Sequence, residues 1–390
     1  MSSFRRCLLA VWCVLCLYGL AAAGRIYSRK YYIWLPEYLR WSMNSTEPQA
    51  GTTHVFLVVA DHFEPGNYRH RMIRWERDYP ALASRHRDST GRPVQHTWFY
   101  PGEQPNDANM LALRNLVGAG YGEVELHCHH NHDSLESARA RFQEAIAYFQ
   151  RFGFLKTTGG QTRFAFVHGN WSLDNSEGVG ACGANRELSL LRELGCFADF
   201  TFPAAWKRAQ PRWVNSIRMA SDDGRDKSYD DAAPLQVGGR SPGDLMMFQG
   251  PLVIYPAWDP AHLFWRVEDG NVHPAVPLTA ERVDLWIRAG IHIAGKPDWV
   301  FVKIHSHGAS TDQDVDELLG RHFDGALSYL ERKYNNGRRY ALHYITAREA
   351  YNLACAAAAG RSGPPEQYYN WVVKPYLAGA REASLLASSQ

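Results

Sequence analysis

The stretch EVELHCHHNHDSLESARARFQEAIAYFQRFG, from Glu123 to Gly153, contains a predicted strand, a loop and a predicted helix in succession. Side chains alternate faces along its first part, as in a strand. Its second part repeats apolar residues at helical spacing, namely Leu135, Ala138, Phe142, Ile146 and Phe149. Asp133 and Glu136 predict a capping box at the start of the helix, and Gly153 predicts its end. The stretch therefore predicts one β/α unit.

The same order of elements continues along most of the chain. Between His54 and Gly360, short β-rich runs alternate with helical segments about seven or eight times, without a long linker. This pattern predicts an α/β fold with a mostly parallel sheet that is closed, or nearly closed, into a barrel. We place the barrel at residues 53–360, after a linker at 25–52 and before a C-terminal tail at 361–390.

The first 24 residues have the composition of a targeting segment. A basic start, MSSFRR, precedes an uncharged apolar run from Cys7 to Ala23 that ends in three alanines. Such a segment is typical of a secretory signal peptide, and an uncleaved membrane anchor is the alternative. Basic residues lie on both sides of the run, so charge does not settle its orientation. We expect an exported or membrane-anchored protein of the periplasm or cell envelope.

Charge and composition narrow the class of partner. The 42 Lys and Arg against 40 Asp and Glu give a formal net charge of only +2. This balance argues against a nucleic-acid-binding protein. Aromatic residues make up 13% of the chain, including 13 tryptophans, and flat aromatic faces suit sugar rings as well as protein cores. The aromatic content is therefore compatible with a carbohydrate ligand, although packing is the more common role of any single Trp.

Chemically capable side chains follow five of the predicted strands. They are Asp61, His62 and Glu64 after the first; His127, His129, His130 and His132; His168, Asn170 and Trp171; Tyr255, Trp258 and Asp259; and His305 and His307. The carboxyl ends of parallel strands meet at one edge of a sheet, where sites are built. We therefore expect one site there, with His168, Asn170, Trp171 and Trp258 binding substrate.

The histidine cluster predicts a metal site. Alternation along the strand places His127 and His129 on one face and turns Cys128 to the other. These two histidines are the preferred ligand pair, with His130 or His132 as a further ligand and Asp61 or His62 as the third. Imidazole suits Zn²⁺ and other first-row ions, and an open coordination position makes such a site catalytic. The expected cofactor is Zn²⁺, with Co²⁺, Ni²⁺ or Mn²⁺ as alternatives.

Four motifs in this order resemble the polysaccharide deacetylase, or NodB-homology, superfamily of carbohydrate esterases. They are VVADHFEP, HTWFYPGE, GEVELHCHHNH and VKIHSHG, and the resemblance spans roughly Thr53 to Ala358. It implies a single distorted (β/α)7 barrel and a metal-dependent hydrolase that removes N- or O-acyl groups from a cell-surface glycan.

The resemblance also implies roles for individual residues. Asp61 falls on the catalytic base, His62 on a metal-binding Asp and His127 on the first metal histidine. His305 or His307 falls on the late histidine that acts as general acid. Asn131 occupies the position of the second metal histidine, so His129, His130 or His132 must substitute for it.

Two other functions fit the same residues. A glycosidase-like barrel would use paired carboxylates, with Asp61 and either Asp259 or Asp174 as the pair to test. A catalytically silent carbohydrate-binding protein would keep the fold and lose the chemistry.

Overall fold

The computed structural model describes residues 3–44, 51–239 and 242–377. Ten α-helices fall in these ranges: α1 (Ser3–Ser28), α2 (Leu35–Asn44), α3 (Arg69–Ala83), α4 (Asp107–Gly118), α5 (Leu135–Gln150), α6 (Glu187–Glu193), α7 (Ala280–Arg288), α8 (Asp312–Leu319), α9 (Arg321–Tyr334) and α10 (Ala347–Ala358). The Glu123–Gly153 stretch forms the predicted strand and helix. Its cap is shifted by one residue, because Ser134 and Ser137 form the capping box that we expected at Asp133 and Glu136.

Thirteen strands are formed by the described residues. They are β1 (Thr53–His62), β2 (His96–Pro101), β3 (Gly122–Cys128), β4 (Phe164–His168), β5 (Cys196–Asp199), β6 (Ile217–Ala220), β7 (Ala233–Pro234), β8 (Leu245–Phe248), β9 (Val253–Pro256), β10 (Trp265–Glu268), β11 (Asn271–Val272), β12 (Trp299–Ser306) and β13 (Tyr340–Ile345). All but β9 and β10, which form a separate antiparallel hairpin, belong to one sheet.

The sheet is mostly parallel, as the alternation of strands and helices predicts. Its strands follow the order β11-β12-β1-β2-β3-β4-β5-β8-β6-β7, and β13 pairs with the first half of β1. Only the pairs that involve β6 are antiparallel. The hydrogen-bonded series does not close into a ring within the described residues, so the fold is an α/β structure with a large, mostly parallel sheet.

The sheet is nevertheless strongly curved. Phe248 on β8 and Phe301 on β12 lie six places apart in the strand order, yet their ring centroids are 6.0 Å apart. Phe200 and Phe56 extend this row of rings on either side, at 4.6 Å from Phe248 and 5.1 Å from Phe301. The face that carries these phenylalanines is called the inner face below. The opposite, outer face packs against helices, among them α3, α4 and α5.

A buried lysine also connects β12 to the segment that follows β5, across the inner face. Lys303 on β12 is 1% exposed, and its Nζ donates a 2.8 Å hydrogen bond to the carbonyl oxygen of Phe202. Burial lowers the pKa of Lys303 to about 7, because the charged ammonium loses its water. The inner face is thus held together by aromatic contacts and by one polar bridge.

The C-terminal tail packs closely as far as residue 377. Arg348 and Asn352 on α10 both donate to the carbonyl oxygens of Tyr369 and Val373, at 2.6 to 3.0 Å. The hydroxyl of Tyr376 donates to the buried carboxyl of Glu125 at 2.7 Å. Such fully satisfied buried polar groups fix one arrangement of the chain.

Helix α1 is the one described helix that is long and apolar enough to cross a membrane, over Cys7–Ser28. A signal sequence near the N-terminus can have the same length and apolar composition. The segment that follows α1 is docked on the folded part of the chain: Trp34 is fully buried and its indole donates to the carbonyl oxygen of Ala205 at 2.9 Å. Tyr31 and Tyr38 join the same apolar cluster with Val214 and Leu252.

Candidate metal centre

Five side chains converge on the inner face at the carboxyl edge of the sheet, and we call them the mouth cluster. Two triads make up this cluster, one of His62, Glu64 and His307 and one of Glu64, His127 and His129. Within each triad, one potential ligand atom from each residue lies within 4.8 Å of the others. Glu64 belongs to both triads and is the hub of the cluster.

Glu64 lies close to two imidazole nitrogens, an arrangement that suits the binding of a cation. Its Oε1 lies 2.9 Å from His127 Nε2 and 3.3 Å from His129 Nε2. The other ring nitrogen of His127, Nδ1, lies 3.1 Å from the carbonyl oxygen of Val167 and must donate to it. In neutral His127 the Nε2 lone pair therefore faces a carboxylate oxygen, and this contact requires a proton or a metal ion between the two atoms.

His62 is the member of the cluster whose ring nitrogens are best available to a metal ion. It is completely buried, and within the described part of the chain neither of its ring nitrogens has a hydrogen-bond partner. Leaving a buried polar group unpaired costs about 1–3 kcal/mol. Burial, reinforced by His307 and His127, holds the pKa of His62 well below its usual value. A neutral imidazole with a free lone pair is the form in which histidine binds metals.

The remaining members of the cluster are oriented by residues outside it. His129 Nδ1 lies 2.6 Å from Glu103 Oε1, so a second carboxylate holds the ring from behind. Burial alone would lower the pKa of His129, but hydrogen bonds to Glu103 and Glu64 raise it to about 9. Gly169 lies against the same ring, since a Cβ at this position would come within 2.3 Å of His129 Cδ2. Outer carboxylates and carbonyls of this kind are typical of metal-ligating histidines.

The side chains of the cluster, and His305 beside it, differ in the direction in which their pKa values are shifted. Burial raises the pKa of Glu64, but its hydrogen bonds to His127 and His129 hold it well below the usual range, so the group is ionised. Burial lowers the pKa of His307 and places that of His305 well below its usual value. Ionised Glu64 and neutral His62 and His307 are groups of the kind that bind Zn²⁺ and similar ions, whereas His129 carries a proton that a bound ion would displace.

A cavity of about 270 Å³ adjoins the cluster. Its walls are formed by Trp171, Trp206, Asn271, His273, His305, His307, Ser310 and Asp314. The Trp171 ring lies 5.3 Å from His62 and 5.6 Å from His307, measured between ring centroids. The mouth therefore combines metal-ligating groups with two indole faces.

Asp61 is not brought to this mouth. Strand alternation turns it to the outer face, opposite His62. There its Oδ1 accepts hydrogen bonds from Ser306 Oγ at 2.8 Å and Gly308 N at 2.6 Å, while its Oδ2 lies 2.9 Å from His96 Nε2. The carboxylate is completely buried and fully engaged in these contacts. Its role as catalytic base stays a prediction that this placement does not support.

The other predicted residues are divided between places. His127, His129, His62, His305, His307 and Trp171 meet at the mouth. His132 is exposed at a positive φ of 53°, outside the mouth cluster. Trp258 is 93% exposed on the loop of the β9–β10 hairpin. His168 is buried on the outer face. The side-chain amide of Asn170 donates hydrogen bonds to the backbone carbonyl oxygens of His130 and Ala181.

The carboxylate pairs considered for a glycosidase are not formed in the mouth. Asp259 binds Arg266 and His262 within the β9–β10 hairpin. Asp174 accepts a hydrogen bond from Ser228 N at 2.7 Å, and burial raises its pKa to about 7. Glu64 and Glu103 are the carboxylates that the mouth offers instead. Sequence reasoning placed Glu64 after the first strand without a role and singled out Glu103 only as part of a motif.

No family model matches the chain, and no curated protein matches it either. Among solved structures, the chain is similar to a GH57 branching enzyme from the hyperthermophilic archaeon Thermococcus kodakaraensis, solved in complex with glucose. The likeness has a TM-score of 0.35 and 11% sequence identity, and covers 73% of this chain and 69% of that one. At this level it supplies no residue role and no substrate to this chain.

These findings correct the resemblance drawn from the sequence. Identification with the polysaccharide deacetylase, or NodB-homology, superfamily is wrong, because no family model matches the chain. Of the functions considered from the sequence, the glycosidase-like alternative is the one whose class the name of the GH57 neighbour shares.

Proposed function

We propose that this chain is a metal-dependent carbohydrate hydrolase that cleaves glycosidic bonds at the mouth. The observation that carries the proposal is the contact of the Trp171 ring with two members of the mouth cluster, His62 and His307. A sugar stacked on this indole would lie directly beside the metal-ligating groups.

The residues that would hold a metal are those of the two triads, either Glu64 with His127 and His129 or Glu64 with His62 and His307. A divalent ion bound there, Zn²⁺ above all, would polarise a substrate oxygen and lower the pKa of its water from 15.7 to about 7. Glu103 and the Val167 carbonyl would keep the two ligating rings in place, as outer residues do at zinc centres.

His305 is the residue best placed to move a proton. It lines the cavity, and burial holds its pKa well below the usual value, so the imidazole is neutral. A neutral imidazole with a free nitrogen can take a proton from an attacking water and return it to a leaving oxygen. Acyl hydrolysis is not favoured, because Asp61, the base that the resemblance assigned to that reaction, is turned to the outer face.

The cavity sets the size of what enters it. A volume of about 270 Å³ lies just below the range typical of pockets for small molecules, and two tryptophans form part of its wall. We infer that the mouth accepts one sugar unit at a time, at the end of a chain or on a branch.

The full chain, purified in detergent, is expected to release reducing ends from a panel of envelope glycans. A chelator should abolish this release and Zn²⁺ should restore it. His127→Ala should lose both bound metal and activity, whereas His322→Ala should keep both, since His322 lies away from the mouth and binds Glu317. Release of acetate without reducing ends would contradict glycosidic cleavage, and an inactive, metal-free wild-type protein would contradict the whole proposal.

We also propose that α1 is retained as a membrane anchor. The Tyr18 hydroxyl donates to the carbonyl oxygen of Leu263 at 2.9 Å, and the Arg25 guanidinium stacks on Trp265 at 3.7 Å. The helix is therefore packed against the β9–β10 hairpin, whose Trp258 and Phe264 are also exposed. Aromatic side chains beside a spanning helix are typical of a membrane interface.

The mass of the mature protein decides between anchor and cleaved signal. We expect the apolar segment to remain attached and the protein to stay in the membrane fraction after alkaline washing. A mature chain that begins near Gly24 and is released as a soluble protein would show that α1 is a signal peptide.

A further inference from the structure

A second group of metal-ligating side chains lies on the outer face of the sheet, separate from the mouth cluster. It consists of His130, His168, Cys182 and Glu187, and we call it the buried cluster. One potential ligand atom from each residue lies within 4.8 Å of the other three. None of the four is more than 3% exposed.

We propose that the buried cluster is a structural site for one divalent metal ion of the zinc type. Glu187 Oε1 lies 2.9 Å from His130 Nε2 and 4.0 Å from His168 Nε2, and Glu187 Oε2 lies 3.5 Å from Cys182 Sγ. Zinc bonds of 2.0–2.3 Å in a tetrahedron place ligand atoms about 3.3–3.8 Å apart. Small side-chain adjustments are enough to reach that geometry.

An unpartnered nitrogen points to the missing ion. His168 is fully buried, and its Nε2 has no hydrogen-bond partner among the described residues. Its Nδ1 accepts a 3.2 Å hydrogen bond from the backbone N–H of Asn170. Metal binding at Nε2 moves the ring proton to Nδ1 and gives up that single long bond, which a metal–nitrogen bond outweighs.

The surroundings of the cluster complete the pattern. Asp133 Oδ2 lies 3.2 Å from His130 Nδ1, on the side of the ring away from Glu187, although the two groups are not aligned as a hydrogen bond, and Arg141 holds this carboxylate in turn. A carboxylate behind a ligating histidine is the usual outer shell of a zinc site. The thiolate of Cys182 and the carboxylate of Glu187 would together carry two negative charges, which a divalent ion neutralises.

Four protein ligands leave no open position, so the site is structural and not catalytic. It would join the ends of β3 and β4 to the loop before α6, between residues 169 and 186. Backbone torsions in the left-handed region recur in this loop, at Trp171, Asp174, Asn175 and Arg186. Since Trp171 follows His168 by three residues, the ion would also fix one wall of the mouth.

Cobalt substitution in the metal-free full chain tests the proposal. Cobalt bound to a thiolate gives a charge-transfer absorption, and no cysteine belongs to the mouth cluster, so the band reports on the buried cluster whether or not the proposed function is correct. We expect the band in the wild-type protein and in Cys196→Ser, because Cys196 is a buried thiol outside the cluster. Cys182→Ser should lose the band.

A wild-type protein without the band would overturn the proposal, and this result does not depend on whether a variant folds. Persistence of the band in Cys182→Ser would also overturn it. His168→Gln provides a second variant that keeps the thiol, and we expect its affinity for Co²⁺ at this site to fall at least about tenfold. An unchanged affinity would remove His168 from the ligand set and contradict the site as proposed.

Discussion

Replacing Glu64 with Gln is expected to lower metal affinity at the mouth by about 100-fold or more and to reduce hydrolysis in proportion. Glu64 is the carboxylate shared by both triads of the mouth cluster. The amide has the same shape but carries no negative charge, and it leaves the ion with neutral imidazoles alone. Metal content after dialysis, and affinity from competition with a chelator, measure the effect.

Two matched variants make this result specific. Glu103→Gln should weaken metal binding by about 10 to 100-fold, because Glu103 orients His129 without joining a triad. Glu144→Gln, on the exposed side of α5, should change nothing. Wild-type affinity and stoichiometry in Glu64→Gln would show that the mouth cluster is not a metal site.

Arg348→Met is expected to destabilise the fold by about 3–5 kcal/mol, the cost of leaving one member of a buried ion pair without its partner. Arg348 is completely buried; its Nε donates to Glu123 Oε1 at 2.8 Å, and its Nη1 donates to the carbonyl oxygens of Tyr369 and Val373. Methionine keeps much of the volume but loses every one of these bonds. The free energy of unfolding from urea titration of the full chain in detergent measures the loss.

The exposed Arg332→Met on α9 is the control and should stay within about 0.5 kcal/mol of the wild type. The double variant Glu123→Gln with Arg348→Met should recover part of the loss, because it removes the unpaired buried charge. A single Arg348→Met variant as stable as the wild type would mean that the packed tail contributes nothing to stability.

Local patterns in the sequence predicted much of this structure. Alternation along β3 correctly separated His127 and His129 from Cys128, because the side-chain period of a strand does not depend on the rest of the fold. Thr346 and Glu349, which have the spacing of a capping box, form one at the start of α10. The accumulation of polar residues at strand ends also led to the carboxyl edge of the sheet, where the mouth cluster lies.

The parts of the candidate site that local patterns did not predict depend on contacts between residues far apart in the sequence. Glu64 and His129 are 65 positions apart, and the parallel pairing of β1, β2 and β3 brings the ends of these strands together. The two faces of β1 were not distinguished from the sequence, so Asp61 and His62 were both assigned to one site although they point in opposite directions. The deacetylase resemblance rested on short apolar strands followed by acids or histidines, a pattern that many α/β folds share.

The docking of the segment after α1 has a consequence for substrate choice. Trp34 joins α1 to the folded part of the chain through Ala205, which directly precedes Trp206 in the wall of the mouth. With α1 anchored as proposed, the docked segment would hold the mouth at a fixed distance from the lipid bilayer. Glycans would then be selected by their distance from the membrane as well as by their chemistry.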